Sequence, residues 1–498
     1  MQSYQSYKNE FKSHLELIGE TGYVESVIPP VVYVTGLPGV RYGEVVFFET
    51  GEMGIVLSLS QENVEVLIFS RDSVTVGCQV ARSGMPLKMP VGSEYLGHSI
   101  DPMGRSTAES VYIPRPSEYR VIDRQAPGID MREKISHSFE TGVAVVDLMI
   151  PLGKGQRELV LGDRKTGKTE FLMQVLLTQA RKGSVCIYAG IGKKKVDIKR
   201  AEEFVNKHKL GENTIILSTS STDPLGLIYI TPYTAMTLAE YFRDQGRDVC
   251  LILDDLSTHA KFYREISLIA KRFPGRNSYP GDIFYSHSRL LERAGNFKIN
   301  NDIKSITCLP VAETIESDIS GYIQTNLMSI TDGHVYFDQE LFEQGRRPSV
   351  NYFLSVTRVG RQTQNKVRWG INRELSSFMT LYEKTQRFIH FGAEINEGIK
   401  STLSMGNRIL NFFDQPMGRI VSQNIQIFVF CLIWVGAIPE EDTARLRYIT
   451  EKCVSLYDTN QDFIVAVNTL IDESGDFNVL LGKVSSQSKQ LMSLIDKG

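Results

Sequence analysis

The chain has 498 residues and a formal net charge of −3, with 42% hydrophobic and 23% charged residues. This length exceeds what one hydrophobic core supports, so two to four domains are expected, and the near-neutral charge argues against a protein built mainly to bind nucleic acid. The six cysteines are far apart and form no C-x-x-C pair, which predicts reduced core cysteines rather than disulfides or zinc ligands.

The chain begins with a polar segment and then changes character. Residues 1–21 lack the apolar stretch of a signal peptide, and we expect a frayed or partner-bound helix there. From 22 to 96, short β-branched runs alternate with glycine, proline and asparagine turns. This spacing predicts a small β-barrel or sandwich.

Two further domains follow. The second domain is predicted over residues 97–371, and its first part, 97–140, is a linker rich in Pro, Arg and Ser. After this linker, strand-like runs alternate with helical runs, which is typical of a mostly parallel sheet covered on both faces. Strand-like runs stop after Arg373, and the helical periodicity that follows predicts a C-terminal helical domain over residues 372–498. Its apolar run Ile427–Ile438 is too short to span a bilayer and predicts a buried helix.

One stretch of the central domain fits the phosphate-binding loop G-x-x-x-x-G-K-[ST]. It lies between the apolar run 158–161 and the helical periodicity of 170–181, the strand–helix context that this motif requires. Inward-pointing backbone N–H groups and the helix N-terminus would hold phosphates, Lys168 would reach the outer ones, and the Thr169 hydroxyl would ligate Mg²⁺. The alternative is a glycine-rich turn with a surface lysine. The predicted nucleotide contacts are Gly162, Asp163, Arg164, Lys165, Thr166, Gly167, Lys168 and Thr169.

A second motif of the central domain is a pair of aspartates that follows the apolar run 251–253. We expect Asp254 to hold Mg²⁺ through a water, and Asp255 to cap a helix. Hydrolysis also needs a group that orients or deprotonates the attacking water, usually a carboxylate after the next strand of the sheet. The run 184–189 is followed instead by Gly-Ile-Gly and three lysines, which are protonated at neutral pH. The sequence therefore predicts a site that binds a nucleotide but cleaves it poorly, with Lys194 and Lys195 as a solvated helix start.

One arginine stands between small residues after a strand-like run. Arg358, in the run 355–360, could reach across a subunit boundary and stabilise phosphoryl charge. The alternative is that Arg358 forms a surface salt bridge, and the position of Arg358 in the sequence favours this alternative when taken by itself.

Several stretches together resemble one family. They are GQREL at 155–159 followed by GDRKTGKT at 162–169, the stretch 254–294, Thr-Asp-Gly at 331–333, and the barrel segment 22–104. Over about residues 20–440 the chain resembles the alpha subunit of F-type ATP synthases. The resemblance implies an N-terminal β-barrel, a central α/β RecA-like P-loop domain and a C-terminal α-helical domain.

The resemblance also implies partners and a role. It implies a nucleotide-binding, regulatory subunit that holds Mg-ATP or Mg-ADP without turnover, in a hexamer that alternates with a catalytic beta-type subunit around a gamma-type shaft. Peripheral-stalk or membrane-sector proteins are further implied partners, with a location in the cytoplasm on the inner face of the cell membrane.

Individual residues take roles from the resemblance. Lys193 stands where alpha subunits have glutamine and beta subunits have the catalytic glutamate. Arg358 matches the alpha arginine that completes the neighbouring beta site. Gln415 matches a nucleotide contact of the adenine-side loop, which lacks about four residues here. The departures from the family are Lys165, Glu170, the run 361–363 and the shaft-facing segment 391–396.

These departures leave other functions open. The chain could be the alpha-like subunit of an F-type-like motor adapted to another task, such as gliding in mollicutes, and not coupled to a proton channel. It could also be a self-sufficient ATPase. A nucleic-acid translocase of the Rho type would need a basic, aromatic barrel face, and 22–96 has no such cluster in its sequence.

Overall fold

The computed structural model describes residues 7–70, 74–108, 111–300, 302–390, 396–416, 418–438 and 443–497. Most of the predicted shaft-facing departure, 391–395, lies outside them. The strands are β1 (Thr21–Ile28), β2 (Val31–Thr35), β3 (Glu44–Phe48), β4 (Met53–Leu59), β5 (Val64–Ile68), β6 (Gln79–Pro86), β7 (Lys88–Val91), β8 (Ser99–Ile100), β9 (Glu118–Val121), β10 (Ser138–Phe139), β11 (Leu152–Gly153), β12 (Glu158–Gly162), β13 (Val185–Lys193), β14 (Thr214–Ser220), β15 (Val249–Asp254), β16 (Gly295–Ile299), β17 (Asp302–Glu313), β18 (Gly333–Phe337) and β19 (Val356–Thr357).

The helices are α1 (Lys8–Ile18), α2 (Ala144–Met149), α3 (Lys168–Arg181), α4 (Lys195–Lys207), α5 (Leu225–Asp244), α6 (Leu256–Ile269), α7 (Ile283–Leu291), α8 (Tyr322–Ile330), α9 (Gln339–Glu343), α10 (Lys366–His390), α11 (Glu397–Phe413), α12 (Gln423–Trp434), α13 (Thr443–Thr459), α14 (Gln461–Asp472) and α15 (Phe477–Lys497). The chain divides into two compact units. Unit 1 comprises Met1–Glu133, Gly183–Glu313 and Asp318–Thr331, and unit 2 comprises Lys134–Lys182, Thr314–Ser317 and Asp332–Gly498.

Unit 1 begins with a closed barrel of order β1-β2-β5-β4-β3-β6, in which neighbouring strands are antiparallel. Alternate side chains fill its core, among them Val32, Val34 and Val66, which are fully buried. The predicted barrel is confirmed. Its last strand ends at Pro86, and the next strand, β7, lies outside the barrel and pairs with β9.

Helix α1 packs on this barrel against β3 and β6. Its Phe11 is buried, and the ring of His14 stacks on Phe47 with 5.2 Å between the ring centroids. Of the two alternatives predicted for this segment, a frayed helix is wrong for Lys8–Ile18, because apolar and aromatic contacts hold α1 to the barrel, and binding to a partner remains a prediction.

The second part of unit 1 is a parallel sheet of order β8-β14-β13-β15-β17, with β16 antiparallel to β17. Every residue of β14 and β15 is buried, as expected for strands covered on both faces. The region predicted as a linker contributes to these sheets, since β8 joins β14 and β9 joins β7. The predicted domain boundaries at 21/22, 96/97 and 371/372 remain predictions.

Two histidines are buried in unit 1. Nδ1 of His259 lies 3.2 Å from Nε2 of His287, and Nε2 of His259 lies 3.0 Å from the carbonyl oxygen of Tyr229. Burial lowers the pKa of His259 from its usual 6.5 to about 4, and burial also lowers the pKa of His287 well below 6.5. Both rings are therefore neutral at physiological pH.

We expect acid to destabilise the chain through this pair. The unfolded histidines take up protons near pH 6.5, whereas the folded ones stay neutral down to about pH 4. The neutral pair therefore leaves the free energy of unfolding unchanged above pH 6.5, and that free energy falls as the pH drops from 6.5 toward 4. For His259 alone the loss between pH 7 and pH 5 is about 2 kcal/mol. Unfolding midpoints across this range should fall less steeply in His259→Gln than in the wild type, and parallel pH profiles would contradict the assignment.

In unit 2, β12 is parallel to β18 and β18 is antiparallel to β19. Strand β12 is completely buried and leads directly into the loop that precedes α3. A separate pair, β10 and β11, is antiparallel.

The helices from α10 onward form the C-terminal part of unit 2. Helix α12 is apolar on all sides from Ile427 onward and is almost entirely buried, and it packs against α11, α13, α14 and α15. The predicted buried helix is thus confirmed, although it ends at Trp434 and the rest of the apolar run follows it. Among the described helices, none is long and apolar enough to cross a membrane.

All six cysteines are free thiols and are buried. Burial raises the pKa of the Cys453 thiol to about 12, and it raises the pKa of the Cys431 thiol as well. The prediction of reduced core cysteines is confirmed.

Candidate functional site

The predicted phosphate loop in unit 2 has the backbone geometry of an anion-binding nest. Gly162 has φ +153°, and a Cβ there would lie 2.4 Å from the carbonyl oxygen of Phe337. Gly167 has φ +93° and Lys165 has φ +64°, both left-handed. Left-handed residues between right-handed ones turn successive N–H groups toward one side, next to the N-terminus of α3. The loop therefore presents a concave, electropositive backbone.

Side chains within unit 2 fix this loop. The Asp163 carboxylate accepts hydrogen bonds from the Thr314 hydroxyl and, at 2.9 Å, from the backbone N–H of Ser317. The Thr166 hydroxyl donates to the Asp163 carbonyl at 2.7 Å, and the Ser349 hydroxyl donates to the Thr166 carbonyl at 2.7 Å. Asp163 and Thr166 can therefore meet a ligand through their backbone rather than through these side chains. Sequence reasoning missed Thr314, Ser317 and Ser349, which no motif indicates.

The charged side chains of the loop differ in exposure. Lys168 is buried, and its ammonium donates to the carbonyl oxygens of Gly162 (2.7 Å) and Asp163. Arg164, Lys165 and Thr169 are exposed. One ammonium is thus held against the loop itself, while two cations and the hydroxyl predicted to ligate Mg²⁺ lie at its surface.

Glu170 introduces a negative charge beside the loop. It lies in the first turn of α3, and its Oε2 is 3.9 Å from the position that a Cβ on Gly167 would take. A carboxylate here repels bound phosphate and partly offsets the attraction of the helix N-terminus.

The predicted acidic residues lie in unit 1, where β15 ends at Asp254. Asp255 caps α6: its side chain accepts from the backbone N–H of Thr258 at 2.5 Å and from the Thr258 hydroxyl at 3.0 Å. The predicted helix cap is thus confirmed. Asp254 is buried and accepts from the Tyr188 hydroxyl at 2.7 Å, a contact that sequence spacing gave no means of finding.

Lys193 is the third member of this cluster. It ends β13, and its Nζ lies 2.6 Å from Oδ1 of Asp254 and 3.2 Å from Oδ2 of Asp255. Burial opposes its charge, but the two carboxylates outweigh burial and raise the pKa of Lys193 above its usual 10.5. Lys193 is therefore a cation and cannot act as the base of a hydrolytic reaction. Lys194 and Lys195 are exposed at the start of α4, as predicted.

The two residues predicted to hold Mg²⁺, Thr169 and Asp254, differ in how well they suit the ion. The exposed Thr169 hydroxyl suits a metal held together with nucleotide phosphates. Both oxygens of Asp254 are already engaged, one by Lys193 and the other by Tyr188. A metal-bound water would have to displace or share one of these partners.

Arg358 lies in unit 2 on a fixed backbone with its side chain exposed. Its N–H donates to the Asp332 carbonyl at 3.0 Å, and the Thr357 hydroxyl donates to the Pro151 carbonyl at 3.0 Å. A Cβ on Gly360 would lie 1.6 Å from that same carbonyl oxygen, so only glycine fits there. The arginine therefore projects from a segment held on both sides.

Gln415 also lies in unit 2, in a loop that follows α11. Its Nε2 donates to the carbonyl oxygens of Gly142 and Arg419, both at 2.6 Å, and its Oε1 accepts from the backbone N–H of Ala144 at 3.1 Å. The side chain is thus occupied in joining neighbouring loops, and a nucleotide base would have to replace these bonds.

Comparison with known proteins covers most of the chain. Residues 142–357 match the ATP synthase alpha/beta family, nucleotide-binding domain. The sequence is 39% identical over 439 residues to the ATP synthase subunit alpha of Dictyoglomus thermophilum, across 88% of this chain and 86% of that protein. The matched domain includes the phosphate loop, Lys193, Asp254 and β19, and ends one residue before Arg358.

Proposed function

The chain belongs to the ATP synthase alpha/beta family, and from this membership we propose that it is a non-catalytic, nucleotide-binding alpha-type subunit of a hexameric rotary ATPase head. It alternates with a catalytic beta-type subunit around a gamma-type shaft. It regulates the ring, and the assembly is peripheral on the cytoplasmic face of the cell membrane, with stalk or membrane-sector proteins as further partners.

One observation carries the non-catalytic role: Lys193 is paired with Asp254 and Asp255 where a hydrolytic site needs a carboxylate. A protonated lysine accepts no proton from water, and here two carboxylates stabilise its charge. The strand–loop–helix around Gly162–Thr169 nevertheless retains the geometry that binds phosphates. These features together support binding without turnover.

In this proposal the backbone of residues 162–169 holds the phosphates of ATP or ADP. Lys168 approaches the outer phosphates, and Thr169 ligates Mg²⁺, which neutralises phosphate charge when bound. Arg164 and Lys165 add positive charge at the surface of the loop, and Gln415 lies on the adenine side. Asp254 would hold a metal-bound water only after one of its carboxylate oxygens gives up its contact with Lys193 or Tyr188.

Arg358 is proposed to act on a different nucleotide, that of the adjacent beta-type subunit. Its exposure and its anchored backbone support this role, because a group that stabilises charge in a neighbouring site must project outward and hold its position. Its chemistry is that of an arginine finger acting in trans.

We expect the isolated chain to bind ATP and to hydrolyse it negligibly. The measurement is steady-state phosphate release by partner-free protein, alongside calorimetric binding of ATP to the same preparation. Lys193→Glu alone should not create activity, because a site also needs an arginine supplied by a neighbour. Robust turnover that disappears in Lys168→Ala would refute the non-catalytic role.

A second candidate is the alpha-like subunit of a repurposed motor that is not coupled to a proton channel. Two charge changes favour it, namely Glu170 beside the phosphate loop of unit 2 and Lys193 beside Asp254 in unit 1, since both leave the loop itself intact. Purification of the native assembly separates the two. Beta-, gamma- and membrane-sector-like partners indicate an ATP synthase, and a ring bound to other proteins indicates the repurposed motor.

A further inference from the structure

A fully buried carboxyl group lies on β12, ahead of the phosphate loop of unit 2. Glu158 is 0% exposed, and the rest of its strand is buried as well. Its Oε2 accepts a hydrogen bond from Nε2 of Gln156 at 2.6 Å, whereas none of the residues that the structure describes donates to its Oε1. Burying an acid with an unpaired oxygen costs stability, so this carboxyl needs an explanation other than packing.

The register of three neighbouring strands places this carboxyl beside the segment that carries Arg358. Glu158 of β12 pairs with Gly333 of β18, and Gly333 pairs with Thr357 of β19. Gly333 leaves the room that the carboxyl occupies, because a Cβ there would lie 2.6 Å and 2.9 Å from the two carboxyl oxygens of Glu158. The carboxyl therefore lies against Gly333, one strand away from the residue that precedes Arg358.

One amide connects the carboxyl to that segment. Gln156 is also 0% exposed, and its Nε2 donates both to Glu158 and, at 3.4 Å, to the Thr357 hydroxyl. The same hydroxyl donates to the Pro151 carbonyl at 3.0 Å. Glu158 thus orients the amide of Gln156. The amide in turn helps to fix Thr357, the residue directly before Arg358.

Charge connects the same two side chains. Burial is the largest influence on the pKa of Glu158 and raises it well above its usual 4.5; the negative charge of Asp332 also raises this pKa, and the positive charge of Arg358 lowers it. Asp332 is itself paired with Arg157, with 2.7 Å between Oδ1 and Nη2. Glu158 and Arg358 therefore belong to one electrostatic neighbourhood, in which the carboxyl is buried and the guanidinium is exposed.

We propose that Glu158 is a positioning residue for Arg358, and that through Gln156 and Thr357 it holds the arginine where it stabilises phosphoryl charge in the neighbouring subunit. The inference rests on the proposed role of Arg358 in trans and adds a buried residue on which that role depends. Glu158 itself contacts no phosphate. Misplacing a group that acts in the transition state lowers the rate far more than ground-state affinity, so Glu158 affects turnover rather than binding.

The main variant is Glu158→Met, measured in the ring reconstituted with its beta-type partner. Methionine has a similar length and no carboxyl oxygen, and an apolar group at a buried site should leave the thermal unfolding midpoint unchanged or higher. Turnover should fall about 10- to 100-fold, while nucleotide affinity of the catalytic site changes less than about threefold. Glu158→Gln keeps an oxygen that accepts from Gln156 and should recover most of the turnover that Glu158→Met loses.

A double variant shows whether the carboxyl acts through the arginine. Turnover of Glu158→Met/Arg358→Ala should equal that of Arg358→Ala alone, because residues that act as a unit have non-additive effects. If Glu158→Met lowered turnover by the same factor in both backgrounds, the carboxyl would act independently of Arg358 and the inference would be overturned.

The control is Glu343→Met, which makes the same change at an exposed position on α9 and should leave turnover at the wild-type level. Wild-type turnover in Glu158→Met, in a ring that Arg358→Ala inactivates, would overturn the inference and leave the role of Arg358 intact. Failure of Glu158→Met to fold would mean that the carboxyl serves the fold, and would overturn it too. Unchanged turnover in Arg358→Ala would instead refute the proposed function of that arginine.

Discussion

Replacing Arg358 by alanine is expected to lower ATP turnover of the assembled ring by about 10³- to 10⁵-fold, the range that arginine fingers contribute to phosphoryl transfer. The guanidinium meets charge that develops only in the transition state, so turnover should fall far more than the affinity of the catalytic site for nucleotide. Turnover and nucleotide affinity of the ring reconstituted with its beta-type partner are the measurements. The fixed backbone of Arg358 strengthens the expectation, since a group already in position needs little ordering when it acts.

Two further variants define the role of Arg358. Arg358→Lys should rescue poorly, because a point charge does not reproduce the planar fork. Arg361→Ala removes another exposed arginine three residues further along the chain and should leave turnover near the wild-type level. Assembly of the ring should survive each change, because one side chain is a small part of a subunit interface. Intact turnover in Arg358→Ala, or loss of the ring, would mean that the residue is structural.

Lys168→Ala is expected to abolish detectable ATP binding by the isolated chain. The ammonium of Lys168 is buried and lies against the loop carbonyls of Gly162 and Asp163, and in the proposed site it also contacts phosphate. Loss of one partner of a buried, hydrogen-bonded charge pair costs about 2–5 kcal/mol, and each 1.4 kcal/mol is a factor of about ten in the dissociation constant. Calorimetry or a fluorescent nucleotide measures the effect.

The matched control is Lys182→Ala, just beyond the other end of α3. This lysine is half exposed and pairs with Glu140 at 2.7 Å, a surface ion pair worth little. Lys182→Ala removes the same charge at a position far from the loop, so affinity should hardly change. If Lys168→Ala bound ATP as tightly as Lys182→Ala does, residues 162–169 would not be a nucleotide site.

The features that the sequence predicts well are those that neighbouring residues determine. The strand–loop–helix around Gly162–Thr169, the buried helix α12 and the cap at Asp255 depend on motifs or periodicities within about twenty residues. Each was therefore accessible from a short window of sequence. The overall order of barrel, α/β domain and helices follows from the same signals.

The contacts that sequence analysis missed join distant parts of the chain. Lys193 and Asp255 are 62 residues apart, Tyr188 and Asp254 are 66 apart, and Asp163 and Ser317 are 154 apart. Only the folded chain brings such residues together, so the absence of a carboxylate base could be predicted but the pairing of Lys193 could not. In the same way, the polar composition of α1 gave no sign that Phe11 and His14 face the barrel.

The burial of all six cysteines has a practical consequence for labelling experiments on this chain. Thiol-reactive dyes attack the exposed thiolate, so a wild-type chain with every thiol buried offers them almost no target. A single cysteine introduced at an exposed site, such as Val196 on α4, would then carry the whole label without prior removal of native cysteines. In the proposed ring, one fluorophore on this chain could thus report how its surroundings change during ATP turnover.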